Sequence, residues 1–482
     1  MAYDVIIIGS GAGGAALAHR LTLGGRRVLL LEKGPDLPRD GSTLDTEAVL
    51  RQGRFLSREP WLDRRGCRFA PEEHFNLGGK TRWYGAALLR YAPHEFGPDL
   101  EHRCLAWPIG YEDLAPYYRE AESLLDLRRF AVEPGLGAIA AGLRSADPAW
   151  RQTPMPLGLV ADILARPQEA VHFDAYASIS DAKADAQSRL LAPLRRHRGL
   201  TLRCDSVVTA LLPAADPQRI AGVVCADGAR HEAATVVLAA GALHSPRLLQ
   251  AYLEASGLAH ELPNAKWVGR YYKSHLLTAM LALSLQSVPD VLSKTLLLEH
   301  PDFPHSTVQT LGGQLAAEIL RTRLPRLLPP MLVTALTERV VGLFLQTEDG
   351  SHVDNRVIAA AAPDGLPRLD YDPARTPAAL LEHVRLVRRL RLQLLHLGYV
   401  AVSRRVPLAG TAHACGTLLA GRGAASSVVD ADGRVHGLDN LYVADGSVLP
   451  RSGRANPALS IYAWGLRLGS HLLAQAGAER SR

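Results

Sequence analysis

Hydrophobic positions along this chain follow two different rhythms. At the start they form short unbroken runs bounded by glycine, and from about Leu276 to Val402 they recur in longer amphipathic stretches punctuated by arginine. The opening run, Tyr3 to Ile8, is apolar and β-branched, long enough for a buried parallel strand and too short for a helix. It leads into Gly9-Ser10-Gly11-Ala12-Gly13-Gly14. From Ala15 the pattern turns helical, with Ala16, Leu17, Leu21 and Leu23 on or near one face, and Gly24-Gly25 end it. Val28 to Leu31 predicts a second buried strand, followed at once by Glu32.

Strand, glycine turn, helix, strand and acid in that order carry a specific chemistry. Gly9 permits the tight turn, Gly11 lets the backbone approach a pyrophosphate, and Gly14 lets the helix pack closely on the strand. The helix start then offers free N–H groups and a partial positive charge to the phosphates. Glu32 stands 18 residues beyond Gly14, near the ~20-residue offset at which a carboxylate accepts the adenosine ribose hydroxyls. The pattern predicts an adenine dinucleotide and leaves NAD and FAD open.

Further along, Lys33 to Asp63 is polar and rich in proline and glycine, predicting loop with one short helix. Gly78-Gly79, followed by Thr81 and small residues, suits either a backbone lying against a flat or phosphorylated ligand or a simple tight turn. A helix starts at the proline-marked boundary Trp107 to Tyr118, and Gly135 to Asp185 shows no clean period. Thr201–Cys204 with Ser206–Leu211, and Ile220–Val224 with Thr235–Leu238, read as paired strands. The last run ends in Ala239-Ala240-Gly241-Ala242 on the crevice side of an open sheet, and Ser245-Pro246 opens a helix as N-cap and first-turn proline. In the leucine–arginine region, Arg321, Arg323 and Arg326 flank leucines as in a membrane-lying segment. Pro325, Pro329 and Pro330 break any such helix and favour a surface helix over a core, or a lid. Near the end, Asp432-Gly433 marks a turn, Leu441 to Ala444 a strand leading to Asp445-Gly446-Ser447, and Asn456-Pro457 the start of a helix carrying Leu459, Ile461, Leu466 and Leu468.

A chain of 482 residues and 52.0 kDa exceeds one simple core. The net charge of +6 is a mild bias over this length, with no sign of nucleic-acid binding. No run of 18 apolar residues lacks charges, so no transmembrane segment is expected. Met1 leads directly into the first strand, which predicts no leader. The five cysteines, odd in number and widely spaced, form neither a disulfide framework nor a metal-binding spacing, so a reduced, cytoplasmic setting without a metal site is expected.

Several motifs occurring together then resemble one family. They are the N-terminal fingerprint, Gly78-Gly79-Lys80-Thr81-Arg82-Trp83-Tyr84-Gly85, Gly241-Ala242-Leu243-His244-Ser245-Pro246, His413-Ala414-Cys415-Gly416-Thr417, and the run from Asn440 through Pro457. Their order and span, from residue 3 to about 473, are similar to a compact bacterial-type member of the glucose–methanol–choline (GMC) family of FAD-dependent oxidoreductases. The resemblance implies FAD rather than NAD. It also implies an α/β fold: a Rossmann-like FAD-binding domain assembled from discontinuous segments plus an inserted α+β substrate domain with an antiparallel sheet. The expected FAD segments are 1–134, 191–275 and 405–482, and the substrate segments 135–190 and 276–404.

By the same resemblance, Gly9, Gly11, Gly14 and Glu32 meet ADP and Val208 meets adenine. Gly78, Gly79, Thr81, Tyr84, Gly85 and Ala86 follow the pyrophosphate and isoalloxazine. Ala240, Gly241, Asp445 and Gly446 join the cofactor site, and the helix from Pro457 points its positive end at the flavin. His413 and Asn456 match the family's catalytic pair. A neutral imidazole suits removal of a hydroxyl proton, and an amide can hold the same oxygen without titrating. Read singly, His413 is one histidine of 18 and Asn456 is a good helix N-cap. His244, His275 and His436 are left as structural. Some family members carry a histidine after the glycine pair that bonds the flavin covalently; Arg82-Trp83-Tyr84 offers none, which predicts non-covalent FAD. The expected reaction is oxidation of an alcohol or sugar hydroxyl to a carbonyl, with a small-molecule alcohol or carbohydrate substrate and oxygen or another electron acceptor. A lyase retaining FAD, an NAD-dependent dehydrogenase and an idle FAD-binding partner module stay open beside it.

Overall fold

Seven strands form the first sheet: β1 (Tyr3–Ile8), β2 (Val28–Leu31), β3 (Leu200–Arg203), β4 (Val208–Pro213), β5 (Ile220–Cys225), β6 (Arg230–Leu238) and β7 (Leu441–Val443). In the computed structural model, which describes residues 3–325, 327–360 and 365–480, strands β3-β2-β1-β6-β7 run parallel in that spatial order. Met1, and Arg326 of the leucine–arginine stretch, lie outside the described residues. The apolar runs are continuous because both faces are covered: Ile6, Ile7, Leu29, Leu30, Val236 and Val237 are all fully buried. The long β6 extends past this layer and pairs antiparallel with β5, which pairs with β4.

Helices α1 (Ala12–Leu23), α2 (Tyr111–Leu124), α3 (Ser245–Ser256) and α4 (Ala458–Arg480) accompany this sheet. Backbones touch where α1, the end of β7 and α4 meet. A Cβ on Gly13 would lie 1.7 Å from the Ala444 carbonyl oxygen, and one on Gly465 would lie 2.5 Å from that of Gly13. The last segment of the chain is thereby locked onto the first.

Three local expectations change. Helix α1 begins at Ala12 rather than Ala15, because Gly13 and Gly14 are helical residues kept small for contact. Residues 201–204 and 206–211 are not a hairpin. Asp205 adopts φ +51° and Ser206 N donates to the Glu32 carbonyl at 2.8 Å, so β3 enters the parallel slot beside β2 while β4 pairs with β5. Ser245 is the first residue of α3 and not its N-cap, since His244 occupies that position. The polar stretch before Asp63 also hides a short strand, Trp61–Asp63, in a four-stranded sheet with Arg68–Phe69, Arg356–Ile358 and Arg368–Asp370.

The second large sheet is antiparallel, in the order 400–405, 276–283, 340–347, 306–310, 296–299, 151–154. One face receives the helix Pro377–His396 through Leu386, Leu390 and Leu394, which pack with Met280, Leu343 and Leu345. The other face receives Leu315–Arg323 through Leu315 and Ala316. The leucine–arginine pattern is therefore largely that of surface helices over a core, and the prolines separate Leu315–Arg323 from Pro330–Thr337.

Between β7 and α4 the chain crosses to this second sheet. Arg454 O accepts from Gln346 Nε2 at 2.7 Å and Thr307 Oγ1 at 3.0 Å. Arg451 grips Glu348 through Nε at 2.8 Å and Nη2 at 2.5 Å, and Gly453 N donates to the same carboxylate at 3.1 Å. Burial opposes ionisation of Glu348, but Arg451 and His305 overcome it and hold the carboxyl below its ordinary range. Removing one partner strands a buried charge, so Arg451→Met is expected to destabilise the holoenzyme by about 3–5 kcal/mol in urea titration. A loss below about 1 kcal/mol would show that solvent reaches the pair.

Candidate active site

The nucleotide cradle is built by backbone. Gly9 takes φ +106°, and a Cβ there would meet the Ala239 carbonyl oxygen at 2.4 Å, so no other residue fits. A Cβ on Gly14 would lie 2.1 Å from Gly9 O, which holds the helix against the turn. Around Gly11 the space is open: a Cβ there meets nothing within 4 Å. Helix α1 also has no side-chain cap and no acid in its first turn. An uncapped helix start facing open space fits a pyrophosphate.

Glu32 faces this cradle from the end of β2. Its Oε2 accepts from Ser10 N at 3.0 Å and Ser10 Oγ at 2.5 Å, and its Oε1 accepts from Gly34 N at 3.1 Å. Burial pushes its pKa up, while these donors oppose the shift. A carboxylate offers about four acceptor positions, so capacity remains on Oε1 for a ribose hydroxyl. Glu32→Ala is expected to weaken FAD binding by roughly 1.5–3 kcal/mol, read as the dissociation constant on reconstituting apoprotein. Equal constants for variant and parent would remove the role. Val208, at the start of β4, lies two residues past the Ser206–Glu32 bond and is half-buried against the main core.

The glycine pair lies over α1. Gly78 and Gly79 both take positive φ, +87° and +55°; a Cβ on Gly79 would sit 3.3 Å from Gly11 Cα, and Gly78 N donates to Ser10 Oγ at 2.9 Å. The pair is at once a tight turn and a close approach. Thr81 is pinned through Oγ1 to Gly78 O at 2.6 Å, and buried Arg82 to Asp185 at 2.9 Å. Ahead of Ala86, which takes φ +50°, the loop is fixed from below by Lys183. This fully buried ammonium donates to Tyr84 O at 2.9 Å, Phe173 O at 2.6 Å and Tyr176 O at 2.5 Å, and burial lowers its pKa to about 7. Gly85 is pressed against Asp174, where a Cβ would lie 2.5 Å from Oδ1.

Asp445 joins the two turns that close the cradle from the other side. Its Oδ2 accepts from Gly241 N at 2.9 Å and Ser245 Oγ at 2.5 Å, and its Oδ1 from Ser447 N at 2.8 Å and Ser447 Oγ at 2.5 Å. Ser245 thus organises Asp445, and Ala240 N donates in turn to Ser245 Oγ at 3.0 Å. Gly241, at φ +85°, again faces open space, and Gly446 is buried beside the Ala414 carbonyl.

The structure brings His413 against a residue that the motifs did not single out. Lys273 and Cys415 exchange backbone bonds of 3.1 and 2.9 Å as an antiparallel pair. Two residues onward on one strand and back on the other, His275 and His413 face each other with Nδ1 to Nδ1 at 2.9 Å. His275 Nε2 lies 2.7 Å from Gly453 O. Burial holds His275 neutral, with a pKa lowered to about 4. Around His413, burial followed by His275, Lys80 and Lys294 keeps the ring neutral well below the usual histidine value, although its edge stays partly accessible. Lys80 donates to Thr411 O at 2.8 Å and thereby ties the glycine-pair loop to the strand carrying His413. Lys294 donates to Asp174 at 2.7 Å and Thr310 O at 2.9 Å.

Asn456 does not cap α4 with its side chain. Its amide exchanges bonds with Gln309, 2.9 Å from Gln309 Nε2 to Oδ1 and 3.2 Å from Nδ2 to Gln309 Oε1, and Nδ2 also reaches Ala87 O at 3.0 Å. Pro457 is buried and its carbonyl accepts from Ile461 N at 3.0 Å, so α4 starts behind Asn456. Elsewhere, His102, Cys104 and His305 converge. The His102 and His305 rings stack at 3.7 Å, His102 Nε2 donates to Glu348 O at 2.8 Å, and both nitrogens of His305 meet the carboxylates of Asp99 and Glu348, so this group knits the core around Arg451.

A helix start open at a glycine turn on a parallel sheet, with a buried acid beside it, fits a dinucleotide, and a neutral histidine pair stands beside it. Residues 4–356 match the FAD dependent oxidoreductase family and residues 353–465 match GMC oxidoreductase. The chain is 31% identical to 6'''-hydroxyparomomycin C oxidase of Streptomyces lividus, covering 99% of this chain and 93% of that protein. It is equally 31% identical to paromamine 6'-oxidase of Streptomyces fradiae, over 96% and 90%. A third relative, 2-methyl-1,2-propanediol dehydrogenase of Mycolicibacterium austroafricanum, is 24% identical over 97% and 95%. Pyridoxine 4-oxidase from Mesorbium loti shares the fold with a TM-score of 0.71 at 20% identity, over 97% of this chain and 99% of that one. The chain belongs to the GMC oxidoreductase family, and it is an FAD-dependent oxidoreductase acting on CH–OH groups. Among the described residues no helix is long and apolar enough to cross a membrane.

Proposed function

We propose that His413 is the base that takes the hydroxyl proton, and the observation that carries this is the His275–His413 contact. Gly453 O can only accept, so the bond to it requires a proton on His275 Nε2. A neutral His275 then presents Nδ1 as an acceptor, and His413 must donate from its own Nδ1. His413 Nε2 is left with a free lone pair, the state a general base needs. FAD, when bound, would supply the acceptor for the hydride that leaves the hydroxyl-bearing carbon. Asn456 positions the substrate oxygen by exchanging its 3.2 Å bond to Gln309 for one to the substrate.

The cofactor would be held by Gly9, Gly11, Gly14, Glu32 and Val208 at the ADP end. Gly78, Gly79, Thr81, Tyr84, Gly85, Ala86, Ala240, Gly241, Asp445, Gly446 and Pro457 would follow it toward the flavin. FAD is bound without a covalent link, since no histidine stands at Arg82-Trp83-Tyr84. Residues 1–134, 191–275 and 405–482 form the FAD domain, and 135–190 with 276–404 the substrate domain. The substrate is a small polyhydroxylated alcohol or carbohydrate. The names of the two 31% identical relatives, each an oxidase of a paromamine- or paromomycin-type compound, support this class, and their oxidase designation favours oxygen as acceptor.

Anaerobic mixing with panels of sugars, aminoglycosides and polyols tests the reading. A competent substrate bleaches the flavin band, denaturation by acid releases intact FAD, and admission of air restores the band with formation of peroxide. Turnover with an unchanged band would favour a lyase, and flavin retained on the precipitated chain would end the non-covalent part. Because His413 is neutral far below the ordinary value of about 6.5, the reduction rate should stay flat as pH falls through that value and drop only at more acid pH. A rate limb at pH 6.5 would assign the base elsewhere.

A further inference from the structure

The outer face of the helix Pro377–His396 and the edge strand beside it form a surface that the oxidation chemistry does not use. Val400–Arg405 ends the second sheet and, among the described residues, pairs only with Leu276–Leu283. On the helix, Leu381, Val384, Arg388, Leu392 and Leu395 are exposed and follow the three- and four-residue spacing of a single stripe. On this face Arg385, Arg388, Arg391 and Arg405 are exposed and form no ion pair among the described residues. Arg404, next to Arg405 on the strand, points to the opposite face of the sheet. No acidic residue occurs between Val384 and Arg405. Glu382, next to the stripe on the same helix, accepts from Ser306 Oγ at 2.6 Å and His305 N at 3.0 Å, and Asp147 and Asp302 hold Arg389. Between helix and strand runs a groove of about 550 Å³ walled by Val387, Leu392, Leu395 and Val400, with Arg388 and Arg391 among its polar lining.

We propose that this face docks on an anionic phospholipid bilayer, with the aliphatic side chains at the boundary of headgroups and acyl chains and the arginines on the phosphates. Charge selects the sign of the partner: four guanidinium groups on this face, with no compensating acid among the described residues, call for an anionic surface. A second copy of this chain is disfavoured, since it would bring four further arginines against these. The pattern selects lipid over protein. A protein interface gathers aromatic side chains, methionine and arginine into an apolar core that excludes lysine and acids. Here aliphatic and arginine residues alternate turn by turn, and the stripe has no aromatic anchor. That interleaving suits arginine stems lying along apolar surface while their heads reach the phosphates.

Sedimentation of the holoenzyme with vesicles tests the proposal. Binding is expected to vesicles rich in phosphatidylglycerol at low salt, to weaken as salt rises, and to be absent with phosphatidylcholine alone. Each arginine near such a surface strengthens partition about fivefold, so R385Q/R388Q/R391Q should weaken it about a hundredfold with flavin content and melting unchanged. L392N/L395N, which keeps every charge, should also reduce binding. No sedimentation with anionic vesicles at low salt, equal sedimentation with neutral ones, or an unchanged triple variant would each overturn the proposal. So would retention on an immobilised acidic polypeptide combined with no vesicle binding, which would mark a protein-docking face.

Discussion

His413→Ala should reduce the rate of anaerobic flavin reduction by about 10²–10⁴, the range for loss of a general base, with FAD still bound. The expectation rests on the orientation of the ring. The side chain of His413 bonds to His275 and not to Glu32, Asp445 or the glycine turns, and the segment that carries it is held by backbone bonds at Cys415 and Thr411 that the substitution leaves in place. The visible band of the variant should therefore match that of the parent, and flavin content separates a catalytic loss from a folding loss. Reduction of the variant at the parent's rate would mean that the proton leaves by another route.

His275→Phe should also slow flavin reduction, by about a hundredfold, although His275 is not the base. Its Nδ1 is what holds the proton on Nδ1 of His413; without an acceptor there, the proton can move to Nε2 and the lone pair facing the substrate is lost. When the group that fixes a catalytic tautomer is removed elsewhere, the loss reaches about 10⁴. A smaller loss is expected here because His275 is neutral and contributes no opposing charge. His275→Asn distinguishes this from a packing defect. Its amide oxygen can take the place of Nδ1 and should recover most of the rate, while His275→Phe stays slow at every pH. If both variants are equally slow, His275 acts only by filling space between Gly453 and His413.

How much of this site could be read from the chain depends on the range of the contacts involved. The stretch Tyr3 to Glu32 is dictated locally: Gly9 needs a positive φ, the apolar runs have strand length, and the acid follows from the strand before it. The glycine pair at Gly78 was legible as a turn, but its position over Gly11 required the fold. Asp205 diverts the chain so that neighbours in sequence, β3 and β4, end in different parts of the sheet; strand propensity is blind to such a detour. Ser245 and Asn456 both carried good N-cap chemistry, and both side chains found longer-range partners, Asp445 and Gln309.

The sequence by itself determined a dinucleotide-type strand, glycine turn, helix and acid, because their spacing is set within one turn or one strand. FAD rather than NAD, and the candidates His413 and Asn456, came from the joint resemblance of several motifs to one family, since read singly both residues are ordinary. Only the tertiary structure decided what those residues can do. Lys183 is an unremarkable lysine until burial gives it three carbonyls to hold, one of them Tyr84 O beside the glycine pair. His275 stood in no recognised motif, and its value comes from pairing with a strand 138 residues away. Local pattern fixes dihedral angles and faces. The protonation state of a base is set by whichever group happens to be packed against it, and that is decided by contacts between distant segments.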